Sequence, residues 1–253
     1  MITLINSGYH FVGTSTLTTL LAKSYANLMN QQTLFVSLSS SDFYKSSLAI
    51  DQNWEPQSIK NILNKVHGKD SVAPFFYQVE NNLYYYQTIG STLKTTDGQK
   101  DLQSFFIKIR KEFQTIFVDI DSEIYGFIKL APIADKVLLI VPPDVKAIEI
   151  INRRMNEVIS NYTHSHGVKL KADIFYVLMK YDKTISLSKV YKLLEVGASS
   201  INEIGYSKVL AKERNNGKID TYLNNLLTVK ISIEDSILAS NLKKLLRKLG
   251  VRI

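Results

Sequence analysis

The stretch INSGYHFVGTSTLTTLLAKSYANL, Ile5 to Leu28, joins a short apolar run to a helical pattern through a glycine-containing turn. Gly8 and Gly13 stand five positions apart, and Ser15 follows at the start of the helical pattern. In the pattern G-x-x-x-x-G-K-[ST], backbone N–H groups wrap phosphates, the lysine neutralises them and the hydroxyl holds magnesium. Thr14 occupies the lysine position here. The stretch therefore predicts a strand, the outline of a phosphate loop and a helix, without the cation of the loop.

Short apolar runs alternate with longer helical patterns along the whole chain. Predicted strands are Ile2–Asn6, Thr33–Ser37, Leu83–Thr88, Thr115–Ile120, Lys136–Val141, Asp173–Leu178 and Ser200–Ile204. Predicted helices are Ser15–Met29, Pro56–His67, Lys100–Phe113, Val145–Tyr162, Ser186–Leu194, Lys208–Asn215 and Ile233–Leu249. This alternation predicts an α/β three-layer sandwich, in which a mostly parallel sheet carries helices on both faces. No repeat or Pro- or Gly-rich linker divides the sequence, so residues 1–253 are predicted to form one domain.

Three polar segments are predicted to be irregular: Ser39–Lys45, Gly68–Pro74 and Asn161–Lys171. The last contains His164 and His166, and we expect a surface loop there because no third metal ligand is discernible. Tyr84–Tyr86 are interpreted as a strand that uses both faces, with a base-stacking platform as the alternative.

Composition excludes several classes of protein. Of 253 residues, 45% are hydrophobic and 21% are charged, which is ordinary for a globular chain. There is no cysteine, which excludes disulfides and thiolate metal sites. The sequence holds neither a long apolar run nor a signal-peptide pattern, so we expect a cytoplasmic protein, with peripheral membrane association as an alternative. The net charge of +8 favours anionic partners such as DNA or a membrane surface.

The chain resembles the ParA/MinD-type (SIMIBI class) P-loop ATPases. Their loop reads K-G-G-x-G-K-T-T, and YHFVGTST, Tyr9 to Thr16, lies over it position by position. Later segments match in the same order: QTLFVSLSSSD, FQTIFVDIDSE, IADKVLLIVPPDVKAIEII, IFYVLMKYD and EIGYSKVLAKERNNGKI. The resemblance implies a single P-loop domain over nearly the whole chain. It also implies that a nucleotide would meet Gly8, Tyr9, Gly13, Thr14, Ser15, Thr16 and Asp119.

The resemblance assigns roles that several residues of this chain do not fill. Tyr9 replaces the signature lysine that reaches the partner subunit's nucleotide, and Thr14 replaces the lysine on the β- and γ-phosphates. Two loop glycines are His10 and Phe11, Ser37 and Ser39 replace two aspartates, and Met179 replaces a base-recognising asparagine.

The lost lysine alone removes about 4 kcal/mol, for a contact at ~4 Å in an effective dielectric near ~20. Affinity should fall by about three powers of ten. Ser15 and Asp119 retain the magnesium position as a vestige. ATP and magnesium are therefore expected to bind weakly, and no residue is predicted to be catalytic. The alternative is a rewired ATPase in which Asp42 or Asp121 substitutes for the missing carboxylates.

Two clusters of basic residues are candidates for binding partners. Nonspecific DNA or an anionic membrane would be contacted through Lys208, Lys212, Arg214, Lys243, Lys244 and Arg247. The last helix carries a predicted apolar face made of Ile237, Leu238, Leu242, Leu245, Leu246 and Leu249. We expect this face to pack on the core, with membrane binding as the alternative.

These observations predict a degenerate ParA/MinD-like protein, a pseudo-ATPase that acts as a binding or localisation scaffold. The nearest branch by resemblance is TadZ/CpaE, which implies pilus, secretion or conjugation machinery, or partitioning, and a homodimer or a protein partner. Two alternatives stay open: a rewired ATPase that drives positioning or DNA partitioning, and a nonspecific DNA-binding accessory protein.

Overall fold

A sheet of eight strands runs through the middle of the molecule. The computed structural model describes residues 1–7, 13–38, 43–66, 70–88, 96–120, 130–167, 170–181, 183–205, 207–215, 218–219, 222–223 and 233–251. The strands are β1 Ile2–Asn6, β2 Thr33–Ser37, β3 Tyr77–Glu80, β4 Leu83–Gln87, β5 Thr115–Ile120, β6 Lys136–Val141, β7 Asp173–Tyr181 and β8 Ile201–Gly205. The helices are α1 Thr14–Met29, α2 Phe43–Ser47, α3 Ile59–Lys65, α4 Thr96–Ile109, α5 Val145–His166, α6 Leu187–Leu194, α7 Lys208–Asn215 and α8 Ile233–Lys248.

The strands lie in the order β3-β4-β2-β5-β1-β6-β7-β8, and all pairs are parallel except β3 with β4. Strand β5 lies between β1 and β2, so Asp119 is level with Ile5 on one side and with Ser37 on the other. The carboxyl ends of these three strands therefore meet at one edge of the sheet, which is where ligands bind in open parallel sheets.

Each face of the sheet has its own apolar core. On one face, α3, α4, α5 and α6 cover the sheet, with Phe105 and Ile148 among the buried side chains. On the other face, α1, α2, α7 and α8 do so, with Leu20 and Leu242 among them. The strands read as unbroken apolar runs because both of their faces are buried. The predicted three-layer sandwich is confirmed.

Side-chain caps mark the start of three helices. The side chains of Ser58, Asp144 and Ser186 cap α3, α5 and α6 by accepting backbone N–H groups. Helix α1 differs, because its N-cap is Gly13 and no side chain caps it. Its first-turn N–H groups thus donate no hydrogen bond to a side chain of the N-cap residue.

Two elements were absent from the sequence prediction. The segment Ser39–Lys45, predicted to be irregular, contains the start of α2, a helix of five residues. The edge strand β3 lies in a stretch that lacks the buried-type run of the other strands.

Helix α5 continues to His166, so the prediction of a surface loop at His164–His166 was wrong. Among the described residues, no three His, Asp or Glu side chains group as a metal site would require.

The tyrosines of β4 and the last helix pack as predicted. Tyr85 and Tyr86 are fully buried on opposite faces, which contradicts the base-stacking alternative. The apolar face of α8 lies in the second core, and only Ile237 of the predicted set is exposed, at 55%. The predicted packing of this face on the core therefore agrees with the structure. Within the described part of the chain, no helix is both long and apolar enough to cross a bilayer.

Candidate functional site

Asp119 is the centre of the candidate site, at the carboxyl edge of the sheet. Its side chain is 3% exposed, and β1 and β2 flank its strand on both sides. Ser15, in the first turn of α1, donates a hydrogen bond from Oγ to Oδ2 of Asp119 at 3.2 Å. The structure therefore brings together the hydroxyl and the carboxylate that the resemblance assigns to magnesium.

Tyr44 in α2 is a second donor to the same carboxylate oxygen. Its hydroxyl donates to Oδ2 of Asp119, and the whole residue is buried. The ring packs edge-on against Phe35, with 4.6 Å between centroids, and lies 5.9 Å from Tyr85. Burial, and after it the negative charge of Asp119, raises the pKa of Tyr44 well above its ordinary value. The hydroxyl therefore keeps its proton and acts as a donor.

The first turn of α1 carries the remaining predicted phosphate-side residues. Gly13 has φ +98°, a left-handed conformation that favours glycine, and its carbonyl accepts from the N–H of Leu17 at 3.0 Å. Thr14 is half-buried and Thr16 is buried, and neither can supply a positive charge. An anion at this helix start would meet peptide N–H groups and hydroxyls, but no cation from α1 itself.

Strand β7 brings a lysine to the end of the loop. The register of β7 against β8 shifts between Met179 and Tyr181, and the intervening Lys180 has φ +58°. A Cβ placed on Gly13 would lie 3.2 Å from Cε of Met179 and 3.8 Å from Cε of Lys180. Met179 thus packs against Gly13, and Lys180 reaches Gly13 with the carbon that bears its ammonium group. The bulge re-aims Lys180 relative to the regular strand.

A buried polar cluster joins the late elements of the chain. Asp235 accepts from the Ser207 hydroxyl at 2.7 Å and from the Tyr222 hydroxyl at 2.6 Å. Ser207 also caps α7 by accepting the N–H of Leu210 at 3.0 Å. Burial is the main cause that raises the pKa of Tyr222, and its hydrogen bond to Asp235 acts in the same direction. The cluster connects the start of α7 to α8 and satisfies its own polar groups.

The predicted basic residues lie on the surface of α7 and α8. Lys208 and Lys212 are exposed on α7, and Lys244 and Arg247 are exposed on α8, whereas Lys243 is half-buried. Gly8, Tyr9, His10, Phe11, Ser39, Asp42 and Asp121 lie outside the described residues, as does the side chain of Arg214.

The sequence did not predict that Tyr44 and Lys180 lie at the site. Tyr44 lies in a segment read as irregular, and an aromatic residue there carries no signal that it contacts Asp119. Lys180 reads as the polar end of a strand, because a bulge is not visible in the apolar pattern. Both residues reach the site through tertiary packing, from elements 29 and 165 positions after Ser15 in the chain.

The described residues do not fit a resident magnesium ion. Mg²⁺ requires near-octahedral oxygen ligands at ~2.0–2.1 Å and is usually held by one or two carboxylates plus waters. Asp119 and Ser15 are suitable donors, but Oδ2 of Asp119 already accepts from two hydroxyl groups. Ser37, where the resemblance places an aspartate, is fully buried in β2 beside Asp119 and brings no charge.

Solved ParA- and MinD-type structures share this fold over nearly the whole chain. A ParA family ATPase from Chlorobium tepidum TLS matches with a TM-score of 0.72 at 12% identity, covering 96% of this chain and 97% of that one. MinD in the MinC:MinD cell division protein complex of Aquifex aeolicus gives 0.69 at 17% identity, with 100% and 97% covered. The septum site-determining protein MinD complexed with Mg-ADP from Pyrococcus horikoshii OT3 gives 0.70 at 12% identity, with 100% of both chains covered.

The architecture of the chain is therefore that of the ParA/MinD-type P-loop ATPases. No protein-family model and no curated protein sequence matches it. Because the identities are low, the structural likeness extends to the fold, and function has to be argued from the site.

Proposed function

We propose that this chain is a ParA/MinD-like positioning or partition protein that acts by binding and does not hydrolyse ATP. The observation that carries the proposal is the convergence of the Tyr44 and Ser15 hydroxyls on Oδ2 of Asp119. Thr14, at the lysine position, adds no charge to the same site. Phosphoryl transfer depends on cations and dipoles directed at the transferred group. A carboxylate that already accepts two protein hydroxyl groups favours a role in which the fold binds partners and does not hydrolyse ATP.

Titration of labelled ATP with magnesium tests the proposal. We expect affinity weaker by about three powers of ten than a loop lysine would provide, and no turnover. Asp119→Ala should leave this weak binding unchanged, because two protein hydroxyl groups already engage Oδ2 of the carboxylate. Micromolar binding together with turnover that Asp119→Ala abolishes would contradict the proposal.

The binding event that this role needs is self-association or contact with a protein partner. The Aquifex aeolicus MinD of the same fold was solved with MinC, and a protein contact of this kind is our proposal for the present chain. The finer assignment is a TadZ/CpaE-like scaffold for pilus, secretion or conjugation machinery. Light scattering should show a dimer without nucleotide, and a fluorescent fusion should form discrete foci in cells. A monomer with diffuse fluorescence would count against the scaffold.

A second candidate function is a rewired ATPase, and Lys180 is the observation that favours it. Its Cε lies beside the Cβ position of Gly13, where its ammonium group could neutralise phosphate in place of the loop lysine that Thr14 replaces. If this candidate holds, Lys180→Gln should weaken ATP binding by at least tenfold, roughly the loss of one partly screened contact. Lys183→Gln, at an exposed lysine three positions later, is the matched control. Equal binding by both variants would leave the candidate without support.

A third candidate is nonspecific DNA binding, favoured by the exposed Lys208 and Lys212 of α7. Neutralised phosphates release counterions, so affinity for duplex DNA should fall steeply with salt. Charge reversal at both lysines should weaken binding and lower the salt slope by roughly two units. The double variant Lys60→Glu with Lys189→Glu, on α3 and α6 at the opposite face of the sheet, is the control for net charge.

A further inference from the structure

We infer that Tyr44 closes Asp119 to divalent cations, so that a protein hydroxyl takes the place of magnesium in this site. The inference rests on the proposed function, since it concerns why the site would not support hydrolysis. The chain keeps the serine and the carboxylate of a magnesium position. It also places a second side chain, Tyr44, against that carboxylate, from an element that the sequence pattern did not reveal.

The hydroxyl of Tyr44 engages the carboxylate oxygen that faces Ser15, the other residue that the resemblance assigns to the magnesium position. It donates to Oδ2 of Asp119, the same oxygen that accepts from Ser15. A cation needs a lone pair on the carboxylate and repels donor hydrogens that point at it. Both donor hydrogens would have to turn away from Oδ2 before a cation could bind there.

The ring of Tyr44 leaves little room for such a movement. It is fully buried, and it packs edge-on against Phe35 and beside Tyr85 in the second core. Tyr85 is itself fully buried, and its hydroxyl donates to Gln87 at 3.1 Å. Interiors are close-packed, so withdrawing the hydroxyl would require the cluster to rearrange.

Displacing the hydroxyl also has an energetic consequence. A buried donor that loses its acceptor pays the full desolvation penalty, equivalent to roughly ten- to hundredfold in a binding constant. A cation would have to overcome this factor in addition to its own dehydration, which Mg²⁺ undergoes reluctantly. The hydroxyl thus disfavours the ion, and it also anchors α2 to β5 without one.

Removing only the hydroxyl tests the inference. Binding of Mn²⁺, a paramagnetic substitute for Mg²⁺, is measured by electron paramagnetic resonance on protein without nucleotide. Tyr44→Phe keeps the ring and removes one of the two hydroxyl donors to Oδ2 of Asp119, so it should bind Mn²⁺ at least roughly tenfold more tightly than the wild type. Tyr85→Phe is the matched control, because it removes another buried hydroxyl of the same cluster, the one that donates to Gln87. It should bind Mn²⁺ as weakly as the wild type.

Thermal unfolding supplies a second readout. Tyr44→Phe should unfold at a lower temperature than the wild type, and added Mg²⁺ should raise it, since a ligand that binds only the folded state stabilises it. Mg²⁺ should leave the wild type and Tyr85→Phe unchanged. Adding Asp119→Asn to Tyr44→Phe should abolish the response, which assigns the ion to this carboxylate.

Two results would overturn the inference. One is wild-type protein that binds Mn²⁺ as tightly as Tyr44→Phe and loses it in Asp119→Asn. The other is a folded Tyr44→Phe that binds no better than Tyr85→Phe. If Tyr44→Phe does not fold, Tyr44→Met replaces it, because methionine adapts to irregular apolar space. The Mn²⁺ measurement contains no nucleotide, so it does not test hydrolysis. ATP turnover would overturn the proposed function, whereas tight Mn²⁺ binding by the wild type would overturn only the role of Tyr44.

Discussion

Replacing Asp119 by alanine removes the acceptor that two hydroxyl groups share. Tyr44 is fully buried and Ser15 is half-buried, so the first loses its partner without water and the second with partial access to it. An unsatisfied buried hydroxyl costs about 1–3 kcal/mol. We therefore expect Asp119→Ala to lower the free energy of unfolding by roughly 2–4 kcal/mol, with Tyr44 supplying the larger part. Asp119→Asn, which keeps one acceptor oxygen, should lose less.

Urea denaturation followed by circular dichroism measures this loss. The midpoint should fall while the slope stays constant, as for a change in stability alone. Asp173→Ala is the control, since Asp173 is an exposed aspartate on β7 and its loss should change stability by less than about 0.5 kcal/mol. An Asp119→Ala protein as stable as the wild type, or more stable, would refute the reasoning. That result would indicate that the Asp119 carboxylate does not stabilise the free protein and is retained to bind an external ligand.

Leu242→Ala on α8 should destabilise the fold by about 2–5 kcal/mol, because Leu242 is buried in the second core. Ile237→Ala, at 55% exposure on the same helix, should change it by less than about 0.5 kcal/mol in the same urea melts; equal losses would contradict the placement of α8. Stability should fall as pH rises above about 10, because burial raises the pKa of Tyr222 and the unfolded chain releases that proton first. Tyr222→Phe should flatten this slope by up to about 1.4 kcal/mol per pH unit, and an unchanged slope would contradict the assignment. Gly13→Ala should lower the free energy of unfolding by about 1–2 kcal/mol, because φ is +98° and the new Cβ would lie 3.2 Å from Met179 Cε. Adding Met179→Ala should recover only the part of this loss that comes from the close contact, and not the part that comes from the backbone conformation.

The elements that the sequence predicted best are those whose pattern is local. Strand β1 and strand β5 have the predicted bounds, and α7 begins and ends where its pattern does. Apolar runs bounded by polar residues define the first two, and helical spacing defines the third. The exposed edge strand β3 and the short helix α2 were missed, because neither buries enough apolar surface to leave a pattern.

The candidate site was predictable only in part, for the same reason. Gly13, Ser15 and Asp119 were identified from a motif and from a strand end, and the fold brings the last two within hydrogen-bond distance. The basic faces of α7 and α8 also followed from composition and spacing. The sequence shows directly that Thr14 stands at the lysine position of the loop motif, but it does not show how the site is arranged without that lysine.

By itself, the sequence determined the sheet apart from β3, the helices apart from α2, and the uncharged position at Thr14, because periodicity and motif spacing are properties of neighbouring residues. Only the tertiary structure decided which side chains complete the site. Tyr44 reaches Asp119 because α2 packs on β2 and β5, and Lys180 reaches Gly13 because β7 bulges at that position. Both contacts join residues far apart in the chain, and they form only when the strands that carry them lie side by side in the sheet.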